Sequence, residues 1–460
     1  MSTRKKMTLF ALTWPIFIEI LLHMLMGNAD TLMLSQYDDD AVAAVGVSNQ
    51  VMMLIIVTFG FVAQGTTILV ARMLGASNEK GAGRTVVVSI FLNLLTGLLL
   101  SGALILFGRQ ILLLMQLPEE LLSDAYLYLA IVGGFAFVQA FIMTVGAALK
   151  SYQFTKDVMY MTLLMNVLNV AGNYVLIFGA FGFPEMGVQG VAVSTALSRC
   201  VGGMLLFYLL LKRVPAPLPW KAALERRSGR EVRSLLQIGI PSAGEQMAYS
   251  ASQIAITSFV AVMGTTALTT RVYTLNIIMF TLLFSIAVGQ GTQILVGYLI
   301  GEKRLEAAYD RCLRSLKIGL GVSVFAAGVF YAFSDTLFSI FTSDTAVIQT
   351  GSLLLLMTIL LEPGRAFNLI VINSLRAGGD VRFPVYVGIL SMWGVAVLFS
   401  YTLGIWLGLG LIGIWAAMTA DEWIRGLLML QRWRSRKWQR MSFSHDTEKN
   451  EKHKPVRAGK

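Results

Sequence analysis

Apolar residues run through this chain in twelve stretches, each long enough to cross a bilayer as a helix and separated by short polar breaks. They fall at 9–34, 42–72, 85–108, 124–148, 157–180 and 187–211, and again at 233–262, 271–299, 314–334, 347–374, 382–406 and 409–430. About 20 apolar residues at 1.5 Å each span the hydrocarbon core, so each stretch predicts a transmembrane helix. The first follows a short basic stub, Met1 to Lys6, and is too long for a signal-peptide core, so it is expected to be retained as a span.

The pattern also repeats. Pro241 lies 226 residues after Pro15, and the same offset relates Glu19 to Glu245, Gln64-Gly65-Thr66 to Gln290-Gly291-Thr292, and Leu149-Lys150 to Leu375-Arg376. Gly187 and Gly413, and Arg199 and Arg425, keep that register without a gap. Six spans separate equivalent positions, so both copies enter the membrane from the same side. The expected fold is therefore all-α and polytopic: two six-helix lobes related by a pseudo-two-fold axis along the membrane normal. Residues 1–212 form the N-terminal lobe, 213–231 an interlobe linker with Pro215, Pro217 and Pro219, 232–434 the C-terminal lobe, and 435–460 a basic, disordered tail.

Composition agrees: 56% of residues are hydrophobic, 14% are charged and the mean hydropathy is +0.68. Charge assigns the sides. Lys80, Arg84, Lys150, Lys156, the 212–233 segment, Lys303, Arg304, Arg376 and Arg382 fall in one set of loops. Asp38 to Asp40, Glu119, Glu120, Glu185, Asp335 and Asp344 fall in the other. The positive-inside rule places the basic loops and both termini in the cytoplasm, in a multi-pass protein of the cell membrane. The net charge of +11 then calls for anionic lipid and not for nucleic acid. Cys200 is expected on a span and Cys312 in a cytoplasmic loop, with no disulfide framework. No nucleotide loop, His/Cys metal spacing or nucleophile elbow is present, so neither catalysis nor a cofactor is expected.

Structural demands should be common to both copies, whereas chemistry needs to occur only once. Asp30, within Gly27-Asn28-Ala29-Asp30-Thr31, has Ile256 as its counterpart. A charged side chain at such depth costs roughly 2.5–3.5 kcal/mol unless paired or hydrated, and burial favours the protonated form of any carboxyl group. Glu19, His23 and Asp30 fall within about 40° of one helix face and form a candidate proton- or cation-coupling stripe. Asn166, Asn169 and Asn173 form a second stripe, opposite Met392, Val395 and Phe399 in the other copy. Their amides can support Asp30 or simply bond neighbouring helices.

Glu245, Arg271 and Arg365 are candidate contributors from the C-terminal lobe. Arg271 is placed to snorkel from a helix end, and Arg365 to pair with Glu362 three residues earlier. Arg199 and Arg425 match each other and suggest a structural pairing. Met24, Met33, Met53 and Tyr249 are candidate lining for an adaptable apolar cavity, with lipid-facing or packing roles as the alternative.

Trp14-Pro15 with Asp30-Thr31 fifteen residues on, Gln64-Gly65, Ala71-Arg72-x-x-Gly75, Asn169-x-x-x-Asn173-Tyr174, Gly187-x-x-Gly190 and Leu375-Arg376-Ala377-Gly378-Gly379-Asp380 together resemble the MATE (multidrug and toxic compound extrusion) transporters. The resemblance spans about residues 8–430. It implies a twelve-helix antiporter that exports lipophilic or aromatic organic cations in exchange for protons or sodium ions. Within the family the chain looks closer to the DinF-like branch than to NorM proteins. Arg365 stands where NorM-type members have an acid, and Tyr249 where they have a glutamate. Asn173 stands where the archaeal type has an aspartate, leaving Asp30 as the shared acid. The resemblance therefore implies proton coupling at Asp30; a monomer is the expected state.

The alternatives are a sodium-coupled antiporter, a lipid-linked precursor flippase of the same superfamily, and an integral membrane enzyme. For the last, the three histidines (His23, His445 and His453) offer little.

Overall fold

The computed structural model describes residues 8–225 and 228–441. It is all helical, with twelve long helical stretches among the described residues. We label them α1 (Leu9–Ser35), α2 (Asp39–Gly75), α3 (Glu79–Leu114), α4 (Glu119–Tyr128 continuing to Ala136–Ser151), α5 (Thr155–Ile177), α6 (Gly187–Arg213), α7 (Gly229–Val262), α8 (Thr265–Gly301), α9 (Leu305–Ala332), α10 (Thr345–Ala377), α11 (Arg382–Trp406) and α12 (Gly410–Arg434). Each coincides with one apolar stretch, extended by a few residues where caps and basic turns prolong it. Among the described residues nine helices are long and apolar enough to cross a membrane, ten if the bent α4 counts as one span. The other two are diluted for visible reasons. The interior of α7 is rich in Ser, Gln and Thr, and α12 carries Asp421, Glu422 and Arg425.

The chain divides into two compact units, Met1–Ile240 and Pro241–Lys460. In the first, α1 packs on α5 and α5 on α6, while α2, α3 and the second half of α4 pack on one another. Its core includes Leu34, Val45, Met52, Phe59, Leu112 and Leu129. In the second unit α10 is the central helix, touching α8, α9 and α12. Ile256, Leu354, Leu361 and Trp415 fill one part of that core, and Ile278, Phe338 and Leu355 another.

Hydropathy predicts twelve plain helices, but two are irregular. In α4 a π-helical turn at Leu129–Gly133 separates two segments bent by 42°. A Cβ on Gly133 would lie 2.5 Å from Leu104 of α3, so the missing side chain permits the close approach at this bend. In α11 π-helical turns occupy Met392–Val397 and Ser400–Trp406. Such turns change backbone geometry without changing hydropathy, so the apolar pattern does not announce them.

Three further expectations need correction. Cys312 is not in a loop: α9 starts at Leu305, nine residues before the apolar stretch, and encloses the thiol completely. The linker is not a bare connection. Trp220–Leu224 form a short 3-10 helix, Trp220 meets Phe207 edge-on, and α7 begins at Gly229. Arg84 pins it by ion pairs of 2.8 Å to Glu225 and 2.7 Å to Glu231. Finally, the start of the tail is ordered. Residues 437–441 are helical, and Trp438 is fully buried, stacked on Trp433 at 4.2 Å between ring centroids. Residues 442–460, with His445 and His453, lie outside the described residues.

Candidate functional site

Asp30 sits near the end of α1, in a stretch otherwise apolar on its buried side, and is 5% exposed. The α1–α5 contact brings Asn173 to it: Asn173 Nδ2 donates to Asp30 Oδ1 at 2.6 Å. Among the described residues Asp30 forms no ion pair. Asn169, one turn back on α5, donates to Thr195 Oγ1 of α6 at 3.1 Å, and both adjoin the Asp30 carboxyl. Close contact between α5 and α6 makes this geometry. A Cβ on Gly172 would stand 2.5 Å from Ser194 Oγ, and Ser194 Oγ itself donates to the Asn169 carbonyl at 2.8 Å. The Oδ1 atoms of Asn169 and Asn173 are buried without a hydrogen-bond partner. Arg199 of α6 and buried Tyr128 of α4 lie close enough to act on the carboxylate electrostatically, yet no ion pair joins Arg199 to it. The Tyr128 hydroxyl donates to Asn49 Oδ1 at 3.2 Å.

The remaining sequence candidates divide. Asn166 is buried but donates to the Thr162 carbonyl of its own helix at 2.9 Å, so it does not join the Asp30 network. Glu19 shares a helix face with Asp30, but eleven residues put them about 16 Å apart along the axis. Its carboxylate pairs with Lys150 Nζ at 2.8 Å. His23 lies between them near Glu19, Lys150 and Arg199, and among the described residues it bonds neither acid. Glu19 and Asp30 thus take different hydrogen-bond partners. Met33 packs against the N-terminal core, Met24 is half-buried and Met53 is 64% exposed.

The C-terminal unit holds a different arrangement. Arg365 pairs with Glu362 at 2.6 Å, as its spacing predicts, and also lies 3.6 Å from Glu422. Arg425 binds Asp421 at 2.7 Å and Glu422 at 3.0 Å. Asn368 donates to Glu422 at 2.9 Å and Ser391 to Asp421 at 2.5 Å. Five charged residues, none more than 7% exposed, thus form one interlocked cluster of three acids and two arginines. Glu245 pairs separately with Arg376 at 2.5 Å. Tyr249, one turn further along α7, is half-buried and lies near Arg271, Arg365 and Arg425. Arg271 does not snorkel: it is 3% exposed and donates to Gln253 Oε1 at 3.1 Å.

Sequence reasoning missed Asp421, Glu422, Thr195 and Tyr128. A signal existed for the first two, because the register aligns Asp421 with Thr195 and Glu422 with Ala196. The copy-to-copy comparison that singles out Asp30 finds these acids as well once α6 and α12 are aligned.

The MatE family model matches residues 15–175 and again 241–402, beginning at the two equivalent prolines. The chain is 51% identical over 434 residues to an uncharacterized transporter, YisQ, of Bacillus subtilis, covering 94% of this chain and 95% of the relative. It is 29% identical over 436 residues to a probable multidrug resistance protein NorM of Thermotoga maritima, covering 94% and 93%. Among solved structures, a MATE transporter in a bent conformation superposes with a TM-score of 0.85 at 22% identity, covering 95% of this chain and 96% of that one. An outward-facing multidrug resistance MATE transporter gives 0.83 at 20% identity, covering 94% and 96%.

Proposed function

Because the chain belongs to the MatE family of membrane transporters, we propose that it is a secondary active efflux antiporter that exports lipophilic, aromatic organic cations in exchange for protons. The carrying observation is Asp30, buried in a spanning helix, bonded to a neutral amide and, among the described residues, without an ion pair. A carboxylate so placed can neutralise either a proton or a cationic cargo, but not both at once. Ligand and proton then favour different states, which is the condition for one gradient to drive the other.

The Asn173 amide suits both forms of the acid. Its N–H donates to the carboxylate, and its unpartnered Oδ1 can accept from the protonated acid once the amide turns over. Arg199, near but not paired, supplies a fixed positive field without competing for Oδ1. Support for protons over sodium, and for a DinF-like character, comes from the C-terminal unit. There Arg365 occupies the place of the acid expected of NorM-type members and, with Arg425, pairs with the surrounding carboxylates. The basic loops and both termini face the cytoplasm in this reading, so that cargo is loaded from the cytoplasm or inner leaflet.

The test is ethidium efflux from cells expressing the protein. Efflux should collapse with a protonophore, continue when sodium is replaced, and disappear in Asp30→Asn while the variant still reaches the membrane. Undiminished ethidium resistance in that variant ends the Asp30 mechanism. Dependence on sodium with indifference to the protonophore ends proton coupling.

A further inference from the structure

Arg271 belongs to one copy of the repeat only, since Val45 occupies the equivalent position. Arg365, Arg376 and Arg425 of the same unit each pair with a carboxylate. Among the described residues Arg271 does not. Among the described residues its side chain bonds only the neutral Gln253 carboxamide, and its Nη1 is buried with no hydrogen-bond partner. An uncompensated guanidinium in a spanning helix is costly, and such residues mark binding sites more often than packing.

Gln253 connects this charge to open space. With Ile254, Thr257, Ser258, Ala261 and Leu268 it lines a groove of about 340 Å³ between α7 and α8. The hydroxyls of Thr257 and Ser258 donate to carbonyls of their own helix, at 2.7 and 3.0 Å. Arg271 occupies the Gln253 oxygen, so the Nε2 hydrogens are the part of that carboxamide left to donate. An amide donor backed by an unneutralised cation selects an oxyanion, and Ile254, Ala261 and Leu268 supply apolar contact beside it.

We infer that Gln253 and Arg271 form an oxyanion subsite, which takes the carboxylate or phosphate of a ligand with an apolar body. This rests on the efflux reading insofar as the ligand is cargo: the transported class then includes amphiphiles carrying both a cation and an oxyanion. The phosphate of an anionic lipid headgroup has the same chemistry, and the test separates the two sources.

The purified full chain in phosphatidylcholine nanodiscs is titrated by fluorescence anisotropy with two dyes. Rhodamine B carries a carboxylate beside its cationic ring system; its ethyl ester keeps the cation and lacks the anion. Arg271→Gln removes the charge, and Gln253→Glu neutralises it with a nearly isosteric acid that keeps the fold even where the first variant does not. Each should weaken rhodamine B about tenfold and leave the ester within about twofold. Competition by phosphatidylglycerol added to the discs assigns the subsite to a lipid headgroup; its absence assigns it to cargo, and either supports the inference. Equal loss of both dyes, or no change in either variant, overturns it. Ethidium efflux in the same variants keeps the two readings apart. If wild type exports nothing while Arg271 still discriminates the dyes, the subsite stands and the efflux reading falls.

Discussion

The two copies place an ion pair at the same register and then diverge. Glu19 with Lys150 in the N-terminal unit and Glu245 with Arg376 in the C-terminal unit join the same two helices of each repeat, at 2.8 and 2.5 Å. All four side chains are largely enclosed, 9–17% exposed. Beyond that shared contact, one unit isolates a single acid among amides, whereas the other surrounds three acids with two arginines. What recurs in both copies is the kind of interaction that holds a helix pair together. What occurs once can be chemistry, as proposed for Asp30, or a paired network, as in the C-terminal cluster where two arginines bridge three acids. Compensation tells these apart. A buried charge gripped by opposite charges is held in place, and one with no such partner is free to bind something.

The sharpest way to break this contrast is to remove compensation. Arg425→Ala leaves Asp421 and Glu422 without their shared partner in a buried setting, which should cost about 3–5 kcal/mol. Loss of monodisperse protein in detergent, or a steep fall in Tm, would be the readout. Retained stability would mean that the cluster is hydrated and titrating, and the two units would then be chemically alike.

A smaller loss is expected at the shared pair, because these side chains keep partial access to solvent. Lys150→Met and Arg376→Met should each destabilise by about 2–3 kcal/mol, by similar amounts, since each strands an enclosed carboxylate. Adding Glu19→Gln or Glu245→Gln should restore part of the loss. If Lys150→Met abolished efflux without lowering Tm while Arg376→Met did the reverse, the pairs would not be equivalent.

How far the sequence reveals this division depends on the kind of signal. Twelve spans were legible because a membrane imposes length and hydropathy on every helix, and the repeat follows from matched residues such as Pro15 and Pro241. Asp30 and Asn173 were legible as residues without counterparts, and the α1–α5 packing explains why they meet. The position of Glu19 on the same helix face could not show that Lys150 takes it, because that contact spans 131 residues of chain. Likewise Cys312 read as loop because α9 starts with charged turns before its apolar run begins. The bend in α4 depends on backbone geometry at Leu129–Gly133, about which hydropathy is silent.

The finest comparison lies within α5, between Asn173 and Asn166, two asparagines of one stripe. Asn173→Leu removes the donor to Asp30, a charge-assisted bond worth about 1.5–3 kcal/mol, so efflux should fall by at least about tenfold. Asn173→Gln should retain part of it. Asn166→Leu should be nearly silent in transport, because its Nδ2 serves only the Thr162 carbonyl one turn away. That carbonyl already lies within the helix ladder, so losing a second donor should change stability by less than about 1 kcal/mol. A tenfold fall in ethidium efflux from Asn166→Leu, at unchanged Tm and membrane level, would show that the whole stripe handles cargo or water. The Asp30 site would then reach two turns further along α5 than its hydrogen bonds do.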